Sequence, residues 1–261
     1  MGDQVAKAQR LRELHLNPQI LVLVNIWDVA SARTVAALPG CRAVATGSWP
    51  ISAALGVADG EVLTRDEMLA AVARIVAAVD LPVTADLEAG YGETPRDVSE
   101  TIARAVAAGV VGCNIEDRGR PVREAALRVA AARERADAEG VPLVLNARLD
   151  LPFESPSDVQ EAVKRGRAYL DAGADCIFPI RARGADLLGR LVGELDAPVN
   201  AFGVPGGPSV RELNDLGVAR VSFGPGPLGV AMAALGRVGS ELLTGGAVSD
   251  DLSFRPPAGT P

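Results

Sequence analysis

Residues 81–117 read LPVTADLEAGYGETPRDVSETIARAVAAGVVGCNIED and contain one complete structural repeat. An apolar run at Val83–Asp86 precedes a polar, glycine-containing turn, an alanine-rich helical pattern at Thr94–Ala108 and a second apolar run at Gly112–Ile115. Because both runs are continuous rather than alternating, they are typical of strands that are buried on both faces. A strand, a helix and a further strand in this order predict a β–α–β unit with parallel strands.

The same arrangement recurs along the chain. Its helical patterns end near glycines such as Gly109 and Gly140, where the missing Cβ allows the left-handed cap of a helix. Eight apolar runs that alternate with helices predict a (β/α)8 barrel in one domain, residues 1–244, with a tail at 245–261; a doubly wound open sheet is the alternative. The predicted strands are Ile20–Val24, Ala43–Thr46, Val83–Asp86, Gly112–Ile115, Leu143–Ala147, Cys176–Pro179, Pro198–Ala201 and Arg220–Phe223.

The composition excludes several classes of protein. The 261 residues are 48% hydrophobic and 23% charged, which is typical of a globular protein. The net charge of −7, without any basic run, argues against nucleic acid or an anionic membrane as a partner. No apolar run is long enough to span a bilayer, and the amino terminus lacks the apolar stretch of a signal peptide. Three widely spaced cysteines indicate a reducing, cytoplasmic compartment.

Acidic residues follow several of the predicted strands. In a barrel of this type, the active site lies at the carboxyl ends of the strands. Asp86 and Glu88 are two residues apart, so a strand would point both to one face. Glu116 ends the next strand, and Asp59 can approach from the loop after the second strand. Clustered carboxylates repel one another unless a cation or protons intervene, and oxygen ligands without His or Cys suit Mg²⁺ or Mn²⁺.

Arg148 ends the strand that follows Glu116, and its guanidinium can hold a substrate carboxylate or phosphonate through two parallel hydrogen bonds. Other polar residues near strand ends have structural explanations. Asp28 precedes a helical pattern and is expected to cap it. Asp117 and Asp150 are expected to pair with nearby arginines.

The remaining reactive side chains do not form a known catalytic set. His15, the only histidine, lies in an amphipathic amino-terminal helix and is expected at the surface, so a Ser-His-Asp triad and a His₃ zinc site are excluded. Cys113 and Cys176 lie inside apolar strands and are expected to pack as small hydrophobic residues. Cys41 follows a glycine that ends a helix, and none of the three resembles an activated nucleophile.

Several segments together resemble the isocitrate lyase/phosphoenolpyruvate mutase superfamily, and the likeness covers nearly the whole chain. The D-x-E-x-G-Y-G string followed by a strand-ending Glu-Asp pair is the most specific part. The segments are VNIWDVASA at 24–32, ATGSWPISAALGVADGE at 45–61, VTADLEAGYG at 83–92, GVVGCNIED at 109–117 and VPLVLNARLD at 141–150.

This resemblance implies an α/β barrel, bound Mg²⁺ and a small anionic 2-oxo or 2-hydroxy carboxylate as substrate. It also implies a homo-oligomer, a tetramer or a dimer, with an exchanged C-terminal helix. Asp86, Glu88 and Glu116 would be the metal site, with Glu116 acting through water. Asp59, Glu88 and Arg148 would carry the catalysis. The residues implied to bind the substrate are Gly47, Ser48, Trp49 and Arg148.

One departure from the superfamily concerns the loop after the fourth strand. The lyases place a gating loop there that resembles Lys-Lys-Cys-Gly-His and whose Cys is an acid/base, whereas this chain has only Asp117–Pro121. Arg118 and Arg120 are expected to be solvated, and Trp49 either covers the substrate or is buried in the barrel wall. An open site favours decarboxylation or a hydrolysis-like outcome, because solvent can protonate an enolate. The predicted function is a Mg²⁺-dependent lyase or decarboxylase that acts through an enolate on an oxaloacetate-like acid. The alternatives are C–P mutase or hydrolase chemistry on a phosphonopyruvate-like substrate, a non-catalytic binding protein, or a barrel synthase that binds phosphate at Gly203–Gly207.

Overall fold

The computed structural model describes residues 2–247 and contains short parallel strands alternating with helices. Each predicted strand is present, and the first is divided into two segments by Val24. The strands are β1 (Leu21–Leu23), β2 (Asn25–Ile26), β3 (Val44–Thr46), β4 (Val83–Asp86), β5 (Gly112–Glu116), β6 (Val144–Leu149), β7 (Cys176–Pro179), β8 (Asn200–Phe202) and β9 (Arg220–Ser222).

Helices follow the strands and form the outer layer. The first helix precedes the barrel, and the last one follows it. The helices are α1 (Gly2–His15), α2 (Val29–Ala36), α3 (Ser48–Ala54), α4 (Arg65–Val76), α5 (Pro95–Ala107), α6 (Val122–Ala138), α7 (Pro156–Asp171), α8 (Ala185–Leu195), α9 (Val210–Asp215) and α10 (Gly226–Leu243).

The strands form a closed ring. Strands β2 to β7 pair in chain order, and β1 pairs with β9, which pairs with β8. A parallel bridge between Ile177 and Val199 joins β7 to the segment before β8, while β1 and β2 are consecutive. The predicted (β/α)8 barrel is therefore confirmed, and the open sheet is excluded. The predicted tail lies outside the described residues from position 248 onward.

Local signals set the helix boundaries. At the start of α5, the Thr94 hydroxyl accepts a hydrogen bond from the Asp97 amide, and the Asp97 carboxylate accepts one from the Thr94 amide at 2.8 Å. Such a reciprocal cap contributes about 1 kcal/mol. The helix ends before Gly109, whose φ of +90° is left-handed, and a Cβ there would lie 2.8 Å from Val76. The predicted glycine cap is confirmed at this position.

Helix α1 covers the amino ends of the strands. Its Gln4 side chain donates to the carbonyl oxygens of Val106 and Val110, and Leu11 packs against Gly112 at the start of β5. The expectation that His15 lies at the surface is wrong, because this packing leaves it 3% exposed. His15 Nδ1 donates to the Leu11 carbonyl at 2.8 Å, and burial lowers its pKa to about 3.

The barrel wall is built from small aliphatic residues. Cys113 and Cys176 are fully buried in it, and burial raises the pKa of each thiol to about 12, as expected for packed, unreactive cysteines. Within residues 2–247, we find no helix with the length and apolar character needed to cross a bilayer.

Candidate active site

A cavity of about 190 Å³ opens at the carboxyl ends of the strands. Strand ends, the first turn of α3 and the loop before α4 form its walls, as expected for a barrel of this class. Six residues predicted from the sequence line it, namely Gly47, Ser48, Trp49, Asp59, Asp86 and Arg148. The other two predicted residues, Glu88 and Glu116, lie beside this group.

Asp86 is the last residue of β4 and is fixed from two sides. Its Oδ2 accepts hydrogen bonds from the Ser48 amide at 3.2 Å and from the Ser48 hydroxyl at 3.1 Å. Its own amide donates to the Thr46 hydroxyl at 3.0 Å. These contacts tie the carboxylate to the neighbouring strand β3 and to the start of α3, while Oδ1 accepts a hydrogen bond from the Glu88 amide at 3.4 Å.

Glu88 reaches the site by a different route from the one that the two-residue spacing predicted. Strand β4 ends at Asp86, and Glu88 lies beyond it with a left-handed φ of +50°. The prediction that both acids share a strand face is therefore wrong, because the chain has already left the strand. The carboxyl is nevertheless only 3% exposed and accepts a hydrogen bond from the Tyr91 hydroxyl at 3.2 Å.

Negative charge accumulates around Glu88. Burial, together with the nearby carboxylates of Asp59, Asp86 and Glu116, raises the pKa of its carboxyl to about 7. Burial also raises the pKa of Glu116 and of Asp59, the latter from an exposed loop that reaches over the cavity. The four acids therefore form one cluster whose carboxylates are not fully compensated by positive charge.

Glu116 and Arg148 are opposite each other in the register of β5 and β6, and their side chains form an ion pair. Arg148 also donates from Nε and Nη2 to Asp150 Oδ1, at 2.9 and 2.6 Å. The guanidinium lines the cavity, but its Nε and one N–H of Nη2 are already hydrogen-bonded to Asp150 and are not free for a ligand. A guanidinium has five N–H groups, so each terminal nitrogen keeps one for a bound anion.

Arg118 is a site residue that sequence reasoning missed. The residue is exposed, as expected, but its guanidinium also forms ion pairs with Glu116 at 2.8 Å, Glu61 at 3.2 Å and Glu88 at 3.5 Å. The residue has a left-handed φ of +48°, and this conformation turns its side chain back over the acids. Its position directly after the Glu116-Asp117 pair was visible in the sequence, but its direction was not.

The loop at residues 117–121 is anchored rather than free. Asp117 is 4% exposed and accepts four hydrogen bonds, two at each carboxylate oxygen. Oδ2 accepts from the Tyr169 hydroxyl at 2.8 Å and from Arg165 at 3.1 Å. Oδ1 accepts from the Gly119 amide at 2.9 Å and the Asp150 amide at 3.1 Å. The expected pairing of Asp117 with an arginine is thus confirmed, and so is that of Asp150.

Trp49 and Gly47 were implied to bind the substrate, whereas Asp28 was expected only to cap a helix. Trp49 is 47% exposed and lines the cavity, so burial in the barrel wall is excluded. Gly47 lies between β3 and α3 as the N-cap of the helix, where a Cβ would lie 2.8 Å from the Pro50 ring. Asp28 caps α2 by accepting from the Ser31 amide at 2.7 Å, as expected, and has no place in the site.

The oxygen donors of the acid cluster are of the type that suits a hard divalent cation. Within residues 2–247, no three His, Cys, Asp or Glu side chains converge closely enough to ligate one ion together. Mg²⁺ usually takes one or two carboxylates and keeps several waters, so direct convergence of three acids is not required. Asp86 lies centrally in the cluster, with Asp59, Glu88 and Glu116 around it, and every donor is oxygen.

Comparison with known proteins identifies the family. Residues 11–243 match the phosphoenolpyruvate phosphomutase family, and the chain belongs to it. A solved structure from Burkholderia cenocepacia, provisionally assigned as a phosphonomutase, is 43% identical with a TM-score of 0.86, over 93% of this chain and 100% of that one. A Mycobacterium tuberculosis protein of uncharacterised function is 33% identical over 85% of this chain and 84% of its own.

Other relatives are named for reactions of oxaloacetate. A structure of oxaloacetate acetylhydrolase with its product oxalate is 25% identical with a TM-score of 0.85, and the match covers 95% of this chain and 91% of that one. Oxaloacetate decarboxylase 2 of Pseudomonas putida is 26% identical over 76% of this chain and 67% of its own. The superfamily predicted from the sequence is confirmed, and the named activities among these relatives are those of enzymes.

Proposed function

We propose that this protein is a Mg²⁺-dependent lyase or decarboxylase that acts on a small 2-oxo or 2-hydroxy di-acid such as oxaloacetate, through an enolate. The observation that carries the proposal is the cluster of Asp86, Glu88 and Glu116 beside Arg148, at a cavity of only about 190 Å³. A cavity of this size suits a substrate of few heavy atoms. Two relatives named for reactions of oxaloacetate support the same substrate class.

Asp86, Glu88 and Glu116 would hold the metal, and Asp59 would lie beside them. When bound, Mg²⁺ supplies positive charge that polarises a carbonyl group and stabilises a developing oxyanion. Arg118 already balances part of the negative charge at Glu88 and Glu116.

Arg148 and the start of α3 would hold the substrate. The two free N–H groups of Arg148 would bind one carboxylate, and its ion pair with Glu116 keeps the guanidinium oriented. The half-exposed ring of Trp49 would cover the ligand. In oxaloacetate, the C3–C4 bond would break, its electron pair would form the enolate, CO₂ would leave, and water would protonate C3 to give pyruvate.

Decarboxylation suits this site because it needs no base to begin. The chain offers no acid/base like the gating-loop cysteine. Cys113 and Cys176 are buried in the wall, Cys41 precedes the amino end of β3, and His15 lies at the same amino end of the barrel, opposite the cavity. The anchored loop at 117–121 contains neither residue type. Water can therefore reach the enolate, which disfavours a mutase, whose reactive intermediate must be protected until it recombines.

A second candidate is C–P chemistry on a phosphonopyruvate-like substrate. The observation in its favour is the 43% identity to the Burkholderia protein assigned as a phosphonomutase. Arg148 would serve a phosphonate as well as a carboxylate, because a guanidinium matches both geometries.

The test is a substrate screen with purified protein and Mg²⁺, using oxaloacetate, phosphonopyruvate and alkylmalates. We expect pyruvate and CO₂ from oxaloacetate, at a rate above the metal-only control. Asp86→Ala should abolish the metal-dependent rate and leave the circular dichroism spectrum unchanged. Asp80→Ala, an exposed acid before the amino end of β4, is the matched control and should keep full activity.

Three other results would count against the proposal. Full turnover by Asp86→Ala would refute the metal assignment. Phosphoenolpyruvate or phosphate as the product of phosphonopyruvate would favour the second candidate. Tight binding of every acid without turnover would indicate a non-catalytic binding protein.

We further propose that the chain forms a homo-oligomer, a dimer or a tetramer, through α10. This helix buries only Leu228 among its own residues and leaves Val230, Leu235 and Leu243 exposed at 72, 64 and 91%. An apolar cavity of about 540 Å³ lies beside it, lined in part by Phe223. Exposed apolar side chains beside an apolar cavity are typical of an interface.

Light scattering after size-exclusion chromatography tests this oligomer directly. The wild type should elute as a dimer or larger, and Leu235→Glu should reduce its mass. Glu241→Lys, an exposed change of charge on the same helix, should leave the mass unchanged. A monomeric wild type at micromolar concentration would contradict the proposal.

A further inference from the structure

A buried arginine lies inside the barrel beneath the acid cluster. Arg220 is the first residue of β9 and is 1% exposed. Its Nη2 donates to Asn114 Oδ1 at 3.3 Å, whereas Nε and Nη1 have no hydrogen-bond partner. Among the described residues, no carboxylate forms an ion pair with it. A fully buried and unpaired cation is costly, so its retention needs an explanation beyond packing.

Arg220 determines which way the Asn114 amide faces. A guanidinium only donates, so the atom that meets Arg220 Nη2 must be the Asn114 oxygen. Asn146 Nδ2 donates to the same oxygen at 2.7 Å, so two donors hold it in the barrel interior. The Asn114 Nδ2 group must then point the other way. Asn114 pairs with Asp86 in the register of β4 and β5 and lines the cavity.

We propose that Asn114 is a substrate-binding residue, donating from Nδ2 to an oxygen of the bound carboxylate or enolate, and that Arg220 is its positioning residue. This inference rests on the proposed function, because it assumes that the cavity beside Asp86 takes an anionic oxo acid. Asn114 adds a neutral donor on the barrel-interior side of the ligand, opposite the mouth where Trp49 is exposed. The charge of Arg220 adds a favourable potential for an anion without blocking the cavity.

The first variant is Asn114→Asp, which keeps the shape of the side chain. Its carboxylate would pair with Arg220 and present an acceptor where the amide presented N–H groups. We expect affinity for oxalate, measured by calorimetry with Mg²⁺ present, to fall about 10- to 100-fold, since a hydrogen bond to a charged acceptor is lost. Asn17→Asp introduces the same charge in an exposed turn after α1 and should bind oxalate like the wild type.

Variants of Arg220 separate positioning from packing. Arg220→Met keeps much of the volume and removes one of the two donors, so only Asn146 still orients the Asn114 amide, and we expect about 10-fold weaker oxalate binding with thermal stability kept. Arg220→Lys retains a charged donor and should restore part of the affinity. If Arg220→Met does not fold, Asn114→Asp and Arg220→Lys still test the inference.

The outcomes distinguish the two proposals. A wild type that binds oxalate while Asn114→Asp binds it equally well would overturn the inference and leave the proposed function intact. A wild type that binds no oxalate with Mg²⁺ would contradict the proposed function, and this inference with it. Weaker binding by Asn114→Asp and by Arg220→Met, with partial recovery in Arg220→Lys, would support both roles.

Discussion

Replacement of Asp117 by asparagine should destabilise the protein by several kcal/mol. The carboxylate accepts two hydrogen bonds at each oxygen, and its partner Arg165 is only 8% exposed. The asparagine side chain keeps one oxygen. That oxygen can accept either from Tyr169 and Arg165 or from the backbone amides of Gly119 and Asp150. In either orientation, an NH₂ group then faces two donors.

The size of this loss follows from the buried ion pair. Breaking a buried pair by removing one partner costs about 3–5 kcal/mol. For a chain of this size, each kcal/mol lowers the unfolding midpoint by about 2–4 °C, so Asp117→Asn should lower it by roughly 6–20 °C. Tyr169→Phe removes a single hydrogen bond to the same carboxylate and should cost about 1.5–3 kcal/mol.

Urea denaturation followed by circular dichroism measures both losses. Glu194→Gln is the matched control, because it removes a carboxylate from the exposed pair with Arg190 and should cost no more than about 0.5 kcal/mol. A loss below about 1 kcal/mol for Asp117→Asn would refute the reasoning, since it would mean that the loop at 117–121 is not held by this carboxylate. The activity of Asp117→Asn at 25 °C should also fall, because Arg118 is the next residue in that loop.

Three further predictions concern the substrate, the reaction and the pH dependence of stability. Arg148→Lys keeps the charge but loses the planar fork, so oxalate binding should weaken about 10-fold; unchanged affinity would remove Arg148 from the substrate site. Isocitrate and methylisocitrate should be cleaved slowly or not at all, and rapid formation of succinate from either would mean that another segment supplies the acid/base. Burial lowers the pKa of His15 to about 3, so the unfolded chain binds a proton between about pH 6.5 and 3 that the folded chain does not. Stability should therefore decrease as the pH falls through this range, and His15→Gln should flatten the decrease; identical pH profiles for the two proteins would contradict the burial of His15.

Features carried by short stretches of sequence were predictable. The apolar runs, the glycine caps such as Gly109 and the acids at strand ends depend on neighbouring residues, and these local signals agree with one another along the whole chain. The carboxyl ends of parallel barrel strands must meet at one face. The sequence therefore predicted that Asp86 and Glu116 lie near each other without any knowledge of their contacts.

Contacts between distant segments were not predictable, because no local pattern records them. His15 was expected at the surface, and only the packing of α1 across the barrel buries it. Glu88 and Arg118 each adopt a left-handed backbone conformation, and this conformation directs both side chains toward the acid cluster. The hydrogen bond between Asn114 and Arg220 joins residues 106 positions apart. The amino-acid sequence by itself thus determined the barrel and the chemical type of the site, whereas closure of the barrel decided which charges are paired and which donors remain free for a ligand.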